Sequence, residues 1–359
     1  MNLSLTDDQR MIRDSAQSFL AEASSLDAVR AAIGSPEGFD PAVWQRIGGE
    51  LGWCGAVVPE SHGGLGLGPV ELVLILEQMG RHLLCAPFFA SVCLAANALV
   101  NAGSRDAKKR YLPAIAAGTL RATAVLLPSA VKARAAKGGW MLNGKAGSVA
   151  DGAGAELVLV AADKGLFAVA RGAKGLSARP LTTWDGTRRF ADLELKNVLA
   201  QRVDDPANKA GMARAESLAQ LYLAAEQLGG AQQCLDLTVS YVSERKQFGR
   251  AIASFQAVKH RCAQMMVLVE SLRSAVYGAA ALAASKASLA DVAADCAAAR
   301  ALASDTFFHC AGEAIQLHGG VGFTSEFAPQ LYFKRAQAGS HFLGTATAMR
   351  ERIANAVLA

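Results

Sequence analysis

No stretch of this chain is apolar for long enough to cross a bilayer, because Arg and Lys interrupt every candidate run, and a membrane span is therefore not expected. The opening residues, Met1 to Asp8, lack the basic segment and apolar core of a secretory leader, so none is expected either. CxxC pairs are absent. Cys54, Cys85, Cys93, Cys234, Cys262, Cys296 and Cys310 stand apart in apolar surroundings, which argues for buried thiols in a reducing, cytoplasmic compartment and against disulfides or zinc. Charge of one sign is not concentrated anywhere. A formal net charge of +5 suits a small anionic ligand and gives no ground for nucleic-acid binding. The phosphate-cradling patterns GxxxxGK[ST] and GxGxxG do not occur, and no His, Cys or carboxylate group has metal-ligand spacing. There is no Ser/His/Asp or Cys/His arrangement for nucleophilic catalysis, no internal repeat and no disordered tract.

What remains is a chain of 359 residues, 52% hydrophobic and rich in Ala, enough for two or three domains of tightly packed helices. Thr6 is a good N-cap ahead of Met11, Ile12, Ala16 and Phe19. Asp40-Pro41 opens a second helix toward Trp44 and Ile47, with Pro at the first helical position. A glycine-rich loop, Val58 to Gly66, breaks the pattern before helices at Leu72 to Arg81 and Ala90 to Ala102. From Thr123 the texture changes to short apolar runs parted by Gly, Asp or Lys, at Ala124 to Leu127, Trp140 to Leu142, Leu157 to Val160, Leu166 to Val169 and Phe190 to Leu195. Asp204-Asp205-Pro206 punctuates the return to helix. An Ala-rich region from Gly278 to Ala303 follows, with Ser288 and Asp291 as a helix start. The expected fold is mainly α with a small β-domain: a helical domain over residues 1–120, a β-barrel-like domain over 121–205 and a helical bundle over 206–359.

Two stretches stand out. The first runs from Ser243 to Gln256. Leu218, Leu221, Tyr222, Ala225 and Leu228 predict a long helix before it, Gly249 a stop, and Phe255 and Val258 a new helix after it. A helix end carrying Arg245, Lys246 and Arg250 beside Phe248 fits an anionic, aromatic-bearing ligand such as a dinucleotide; spacing alone favours a charged helix end with one buried Phe. The second stretch is Gln316-Leu317-His318-Gly319-Gly320-Val321-Gly322-Phe323. Its glycines permit close backbone approach and Gln316 supplies donors and an acceptor, although a Gly pair also serves as a helix C-cap.

Together these stretches resemble the acyl-CoA dehydrogenase signatures R-x-x-F-G…F-Q and Q-x-x-G-G-x-G, and Pro59 to Gly66 resembles the family's P-E-x-x-G-G-x-G segment. The resemblance covers nearly the whole chain. It implies an N-terminal helical domain, a middle β-barrel and a C-terminal four-helix bundle. It also implies FAD as cofactor, an acyl-CoA thioester as substrate, electron-transferring flavoprotein as a partner and a dimer or tetramer. In the family a carboxylate removes the α-proton of the thioester while the β-hydride goes to the FAD ring. Each FAD is shared between two chains. By the resemblance Arg245, Phe248, Gln256, Gln316, Gly319 and Gly320 would hold the pyrophosphate and adenosine half of the cofactor bound in the partner's ring pocket.

The catalytic half departs from the family. Its base is most often a Glu directly before Gly-Thr, and here Leu343 precedes Gly344-Thr345. Other members place the Glu on the helix leading to R-x-x-F-G; the matching position is Ala219, followed by Gln220. Where members read T-E-P-x-x-G-S-D at the flavin ring, this chain has Leu126-Leu127-Pro128-Ser129-Ala130-Val131-Lys132. Where they read G-K-x-W-I-T it has Gly144 to Val149, so Gly147 replaces the aromatic against the ring and Val149 the Thr that bonds it. Glu216 and Glu226, on the same helix as Ala219, are the remaining carboxylate candidates. His62, His260, His318 and His341 are expected in packing or surface roles. No catalytic residue is therefore assigned. The chain resembles the base-lacking subunit of heterotetrameric bacterial enzymes of lipid or steroid side-chain breakdown, and its expected partner is a homologous catalytic chain. The alternatives are a self-sufficient homo-oligomeric dehydrogenase with an unorthodox base, and a non-redox binder of acyl-CoA or nucleotide.

Overall fold

The computed structural model describes residues 4–127 and 129–358. Its helices are α1 (Asp7–Ala23), α2 (Leu26–Gly34), α3 (Pro41–Gln45), α4 (Pro69–Arg81), α5 (Asn97–Ala102), α6 (Arg105–Ala116), α7 (Gly211–Glu244), α8 (Gln256–Ala283), α9 (Leu289–His318), α10 (Pro329–Gly339) and α11 (Ala346–Leu358). Its strands are β1 (Ala122–Val125), β2 (Lys132–Ala136), β3 (Gly139–Ala150), β4 (Leu157–Ala162), β5 (Gly165–Ala170), β6 (Leu176–Pro180), β7 (Phe190–Arg202), β8 (Lys246–Gln247) and β9 (Arg250–Ala251). The chain divides into two compact units.

The first unit comprises Met1–Arg30, Pro69–Leu84 and Gln220–Ala359. α1 starts where Thr6 accepts from the Gln9 amide while the Gln9 side chain accepts from the Thr6 N–H, a reciprocal cap that satisfies two exposed donors. α4 and α7 cross at backbone contact. A Cβ on Gly80 would lie 1.8 Å from the Glu226 carbonyl oxygen, and one on Gly229 would lie 1.7 Å from that of Glu77, so no other residue fits at either point. Buried Glu77 is held there by Arg273 and by the Tyr277 hydroxyl, which donates at 2.7 Å. α8, α10 and α11 pack on α9, whose Ala299, Ala303, Ala311 and Ala314 are all fully buried and let neighbouring helices approach closely. Ser288 caps α9 by accepting from the Asp291 amide at 3.1 Å.

One expectation from the sequence is corrected by α8, which by length and composition alone is apolar enough to cross a membrane. Beyond Arg261 its only charged residues are Glu270 and Arg273. Arg273 is paired with Glu77 of α4 inside the helical unit.

The second unit comprises Ala31–Gly68 and Cys85–Ala219. Its sheet has seven strands in the order β1-β4-β5-β7-β3-β2, with β6 on β7. β1 and β4 are parallel and the other pairs antiparallel. β7 is the hub: its 13 residues pair with β3, β5 and β6 and alternate between buried and half-buried over the first half. The strands curl around one core in which Val131, Leu142, Val158, Phe167, Leu193 and Val198 meet. β2 and β6 lie outside the strands read from sequence. β2 is Lys-Ala-Arg-Ala-Ala and β6 is mostly exposed, so neither carries an apolar alternation to read. α2 was likewise not anticipated.

Candidate functional site

The first motif does not end a helix at Gly249. α7 stops at Glu244, and the chain turns through the β8–β9 hairpin, in which Gln247 faces Arg250. The Ile252 N–H, donating to the Arg245 carbonyl at 2.8 Å, ties off its base. Phe248 and Gly249 form the two-residue tip, with φ of 53° and 77°. Both positive values define a primed hairpin turn, for which Asn-Gly is the natural pair and an aromatic at the first position is sterically costly. Phe248 is also 90% exposed, so the alternative of a buried Phe fails. Its ring meets Phe255 edge-on at 6.0 Å, and the Arg250 guanidinium lies over the Phe255 ring at 4.1 Å. Arg245 is exposed and has no side-chain partner among the described residues. Gln256, exposed at the first turn of α8, reaches His260 at 3.4 Å and no other side chain among the described residues.

The second motif closes α9. Gln316, Gly319 and Gly320 are exposed. Gly319 has φ of 64°, and a Cβ on Gly319 or Gly320 would meet nothing within 4 Å. Gly320 is thus required neither by its own backbone nor by internal crowding. Gly322 differs, since a Cβ there would lie 2.7 Å from the Ile315 carbonyl oxygen. The two motifs are joined through a pair that the sequence did not reveal. Tyr241, near the end of α7, stacks on buried His318 with ring centroids 4.3 Å apart. Burial lowers the His318 pKa, partly countered by its Nδ1 contact with the Ala314 carbonyl at 2.6 Å. His318 is a packing residue, as expected.

The positions where a family base would stand are filled. Ala219 is fully buried, and Leu343 is buried with φ of 57°. Gln220 donates through Nε2 to the Leu343 carbonyl at 3.4 Å. Fully buried Arg300 fixes the same corner. Its Nη2 donates to the carbonyls of Gly339 at 2.6 Å, Phe342 at 2.9 Å and Gly344 at 3.1 Å, and its Nη1 to Gln227 Oε1 at 3.1 Å. Desolvation pulls its pKa down to about 10, with Asp305 opposing. Of the two carboxylate candidates, Glu226 is buried and lies 3.4 Å from the guanidinium of buried Arg335. Glu216 is half-buried on α7. A lone Arg in the Ala-rich run around Arg300 was the available signal for the buried cation; nothing marked Arg335.

In the β-domain, the pairing of β3 with β7 slips between Ala146 and Val149. This bulge leaves Gly147 and Ser148 exposed, with Ser148 at φ 52° and its N–H donating to Asp192 Oδ1 at 3.1 Å. Asp192 is in turn paired with Arg179 at 2.6 Å. Val149 points into the sheet's core, as does Val131. Leu126 is buried, and Pro128 lies outside the described residues. Among the described residues no cluster of His, Cys, Asp or Glu could hold a metal ion.

Residues 6–119 match the profile of the acyl-CoA dehydrogenase N-terminal domain, and residues 217–358 that of the acyl-CoA dehydrogenase C-terminal domain. The chain is 33% identical over 351 residues to acyl-CoA dehydrogenase IpdE2 of Mycobacterium tuberculosis, covering 98% of each. A chain of the ChsE4-ChsE5 complex from Mycobacterium tuberculosis superimposes with a TM-score of 0.91 at 28% identity, covering 100% of this chain and 99% of that one. A chain of a Tcur3481-Tcur3483 steroid ACAD variant gives 0.90 at 28% identity, covering 98% of each.

Proposed function

The chain belongs to the acyl-CoA dehydrogenase family of oxidoreductases, and we propose that it is the subunit that holds the outer half of a partner's FAD and desaturates no substrate itself. The observation that carries this reading is the contrast between two sites. At one, an unpartnered Arg245, an exposed Phe248 at a strained turn and a glycine with open space beside it await an external ligand. At the other, the base position holds a buried Leu343 whose carbonyl accepts from the Gln220 amide, with Arg300 donating to the neighbouring carbonyls of Gly339 and Gly344.

The residues fit the pyrophosphate and adenosine portion of FAD and do not fit its ring. Arg245 supplies a charge-assisted donor for phosphate oxygens. Phe248 offers an aromatic surface for the adenosine half, with Gln256 and Gln316 as polar contacts. Gly319 and Gly320 let the backbone approach. Bound in the partner's ring pocket, FAD supplies the hydride acceptor for desaturation. In this chain Val149 turns into the core where a hydrogen-bonding side chain would face the ring, and Gly147 has no side chain to cover it. Glu226 is engaged by Arg335 and does not replace the missing base.

The substrate is an acyl-CoA thioester of lipid or steroid catabolism, bound in a homologous catalytic chain, with electrons passing to electron-transferring flavoprotein. The steroid enzyme and the two-component complex among the similar structures support a heteromeric dimer or tetramer. We further propose domains over 1–120, 121–205 and 206–359, and a cytoplasmic, reducing setting in which all seven cysteines are free thiols.

The test is to purify the chain alone and with a homologue that carries Glu at the position of Leu343 or Ala219, then measure flavin absorbance and acyl-CoA oxidation. The pair should be yellow and active, with one FAD for each two unlike chains. A homo-oligomer of this chain that reduces its own FAD on addition of an acyl-CoA would overturn the proposal and bring back an unorthodox base, Glu216 first.

A further inference from the structure

The second unit contains a cavity of about 480 Å³ that none of the foregoing chemistry uses. It opens between the loop that carries Phe39, Arg121 just before β1, the turn after β3 and Arg189 just before β7. That turn, Asp151 to Ala155, is built of Gly and Ala after its first residue, so no side chain fills the space. A second lobe of about 290 Å³ shares Arg171 with the first and is walled by Val158, Leu176 and Ala178. The size is that of a small-molecule site.

Two of its three guanidiniums are fixed by the protein. Arg121 lies 3.6 Å from Glu156 and 5.7 Å from the centre of the Phe39 ring. Arg189 donates to the carbonyls of Ile33 at 2.9 Å and Ser35 at 2.8 Å. The third, Arg171, sits where the two lobes meet, and its side chain has no partner among the described residues. The walls of the larger lobe also carry Asp151 and Glu37. With Glu156 at Arg121 added to those two carboxylates, the three cations are matched in number, so Arg171, the guanidinium without a side-chain partner among the described residues, is left to take a single anionic group and a polyphosphate is disfavoured. Apart from Arg171 the smaller lobe is lined only by Gly, Ala, Val, Leu and Pro, whose side chains suit a short hydrocarbon body between exposed backbone groups.

We propose that this cavity binds an amphipathic monocarboxylate, its carboxylate on Arg171 and its hydrocarbon portion beside Leu176 and Ala178. A planar guanidinium fork matches a carboxylate in two-point contact, which a neutral amide of the same shape cannot reproduce. The inference does not depend on the FAD reading, because no residue of the hairpin or of the glycine motif takes part.

The experiment titrates octanoate, octanamide and inorganic phosphate into the full chain by calorimetry. Octanoate is expected to bind saturably, with octanamide and phosphate each at least about tenfold weaker, the usual scale of a charge-assisted contact. Arg171→Ala should weaken octanoate by about tenfold or more with an unchanged melting temperature, since the side chain is exposed, and Arg171→Lys should fall between. Ala153→Trp, which fills the cavity, should abolish binding, and Arg245→Ala should leave it intact. Absence of saturable octanoate binding, equal binding of octanamide or phosphate, or wild-type affinity in Arg171→Ala would each overturn the proposal.

Discussion

Gln220 donates its side-chain amide to the Leu343 carbonyl at 3.4 Å, so the residue after one vacant base position is bonded to the other. Gln220 Oε1 accepts in turn from Arg352 Nη1, also at 3.4 Å. Buried Arg300 supplies the stronger bonds to the same corner. Arg300→Leu keeps the volume and removes four bonds, three of them to the carbonyls of Gly339, Phe342 and Gly344. Stability is expected to fall by about 3 kcal/mol, read by urea denaturation, because orphaned buried acceptors cost more than the net worth of the bonds. A change under about 1 kcal/mol would mean that water replaces the guanidinium.

The hairpin tip should show a trade between stability and binding. Phe248→Asn places Asn-Gly in the turn that favours it, and Asn tolerates positive φ far better than Phe. The variant should gain roughly 0.5–1 kcal/mol in thermal unfolding while the assembled complex loses FAD more readily. A variant that is both more stable and equally retentive of FAD would remove Phe248 from the clamp.

Arg245→Ala should weaken FAD retention by the complex about tenfold to hundredfold, the loss of one charge-assisted contact to phosphate. Flavin released on dilution measures it. Because the side chain is exposed and unpartnered, the melting temperature of the isolated chain should not change.

Glu226→Gln separates a structural carboxylate from a catalytic one. The substitution leaves Arg335 buried without its counter-charge and should cost about 2–4 kcal/mol of stability. Turnover by the heteromeric complex, measured where the variant is still folded, should be unchanged. A fall of tenfold or more in kcat would return Glu226 to the chemistry.

Acid should weaken the fold through His82. Burial, reinforced by the neighbouring Arg81 charge, lowers its pKa from 6.5 to about 4. The folded state therefore holds the imidazole neutral, and unfolding takes up a proton between those values. The contribution is complete above about pH 6.5 and is lost as pH falls toward about 4. Its size is on the order of 1 kcal/mol once partial exposure is discounted. His82→Gln should flatten the pH dependence of the melting temperature in that window.

Local chemistry made much of this protein readable in its sequence. Thr6, Asp40 and Ser288 announce helix starts because a cap is decided by a side chain and a backbone amide two or three residues away. The core strands β4, β5 and β7 are apolar enough to be read in isolation, and the two motifs that resemble the FAD clamp are contiguous. β2 and β6 were illegible because their residues gain strand structure only from β3 and β7. The hairpin at Lys246 to Ala251 looked like a charged helix end, since nothing local distinguishes a stop at Gly249 from a turn through Phe248 and Gly249. Tertiary structure alone decided that Glu226 meets Arg335, that Arg300 holds the corner at Leu343 and that Tyr241 stacks on His318. In each of these pairs the partners are dozens of residues apart, so no local pattern encodes them. They are set by where the close crossing of α4 and α7 at Gly80 and Gly229 and the packing on α9 bring distant side chains together.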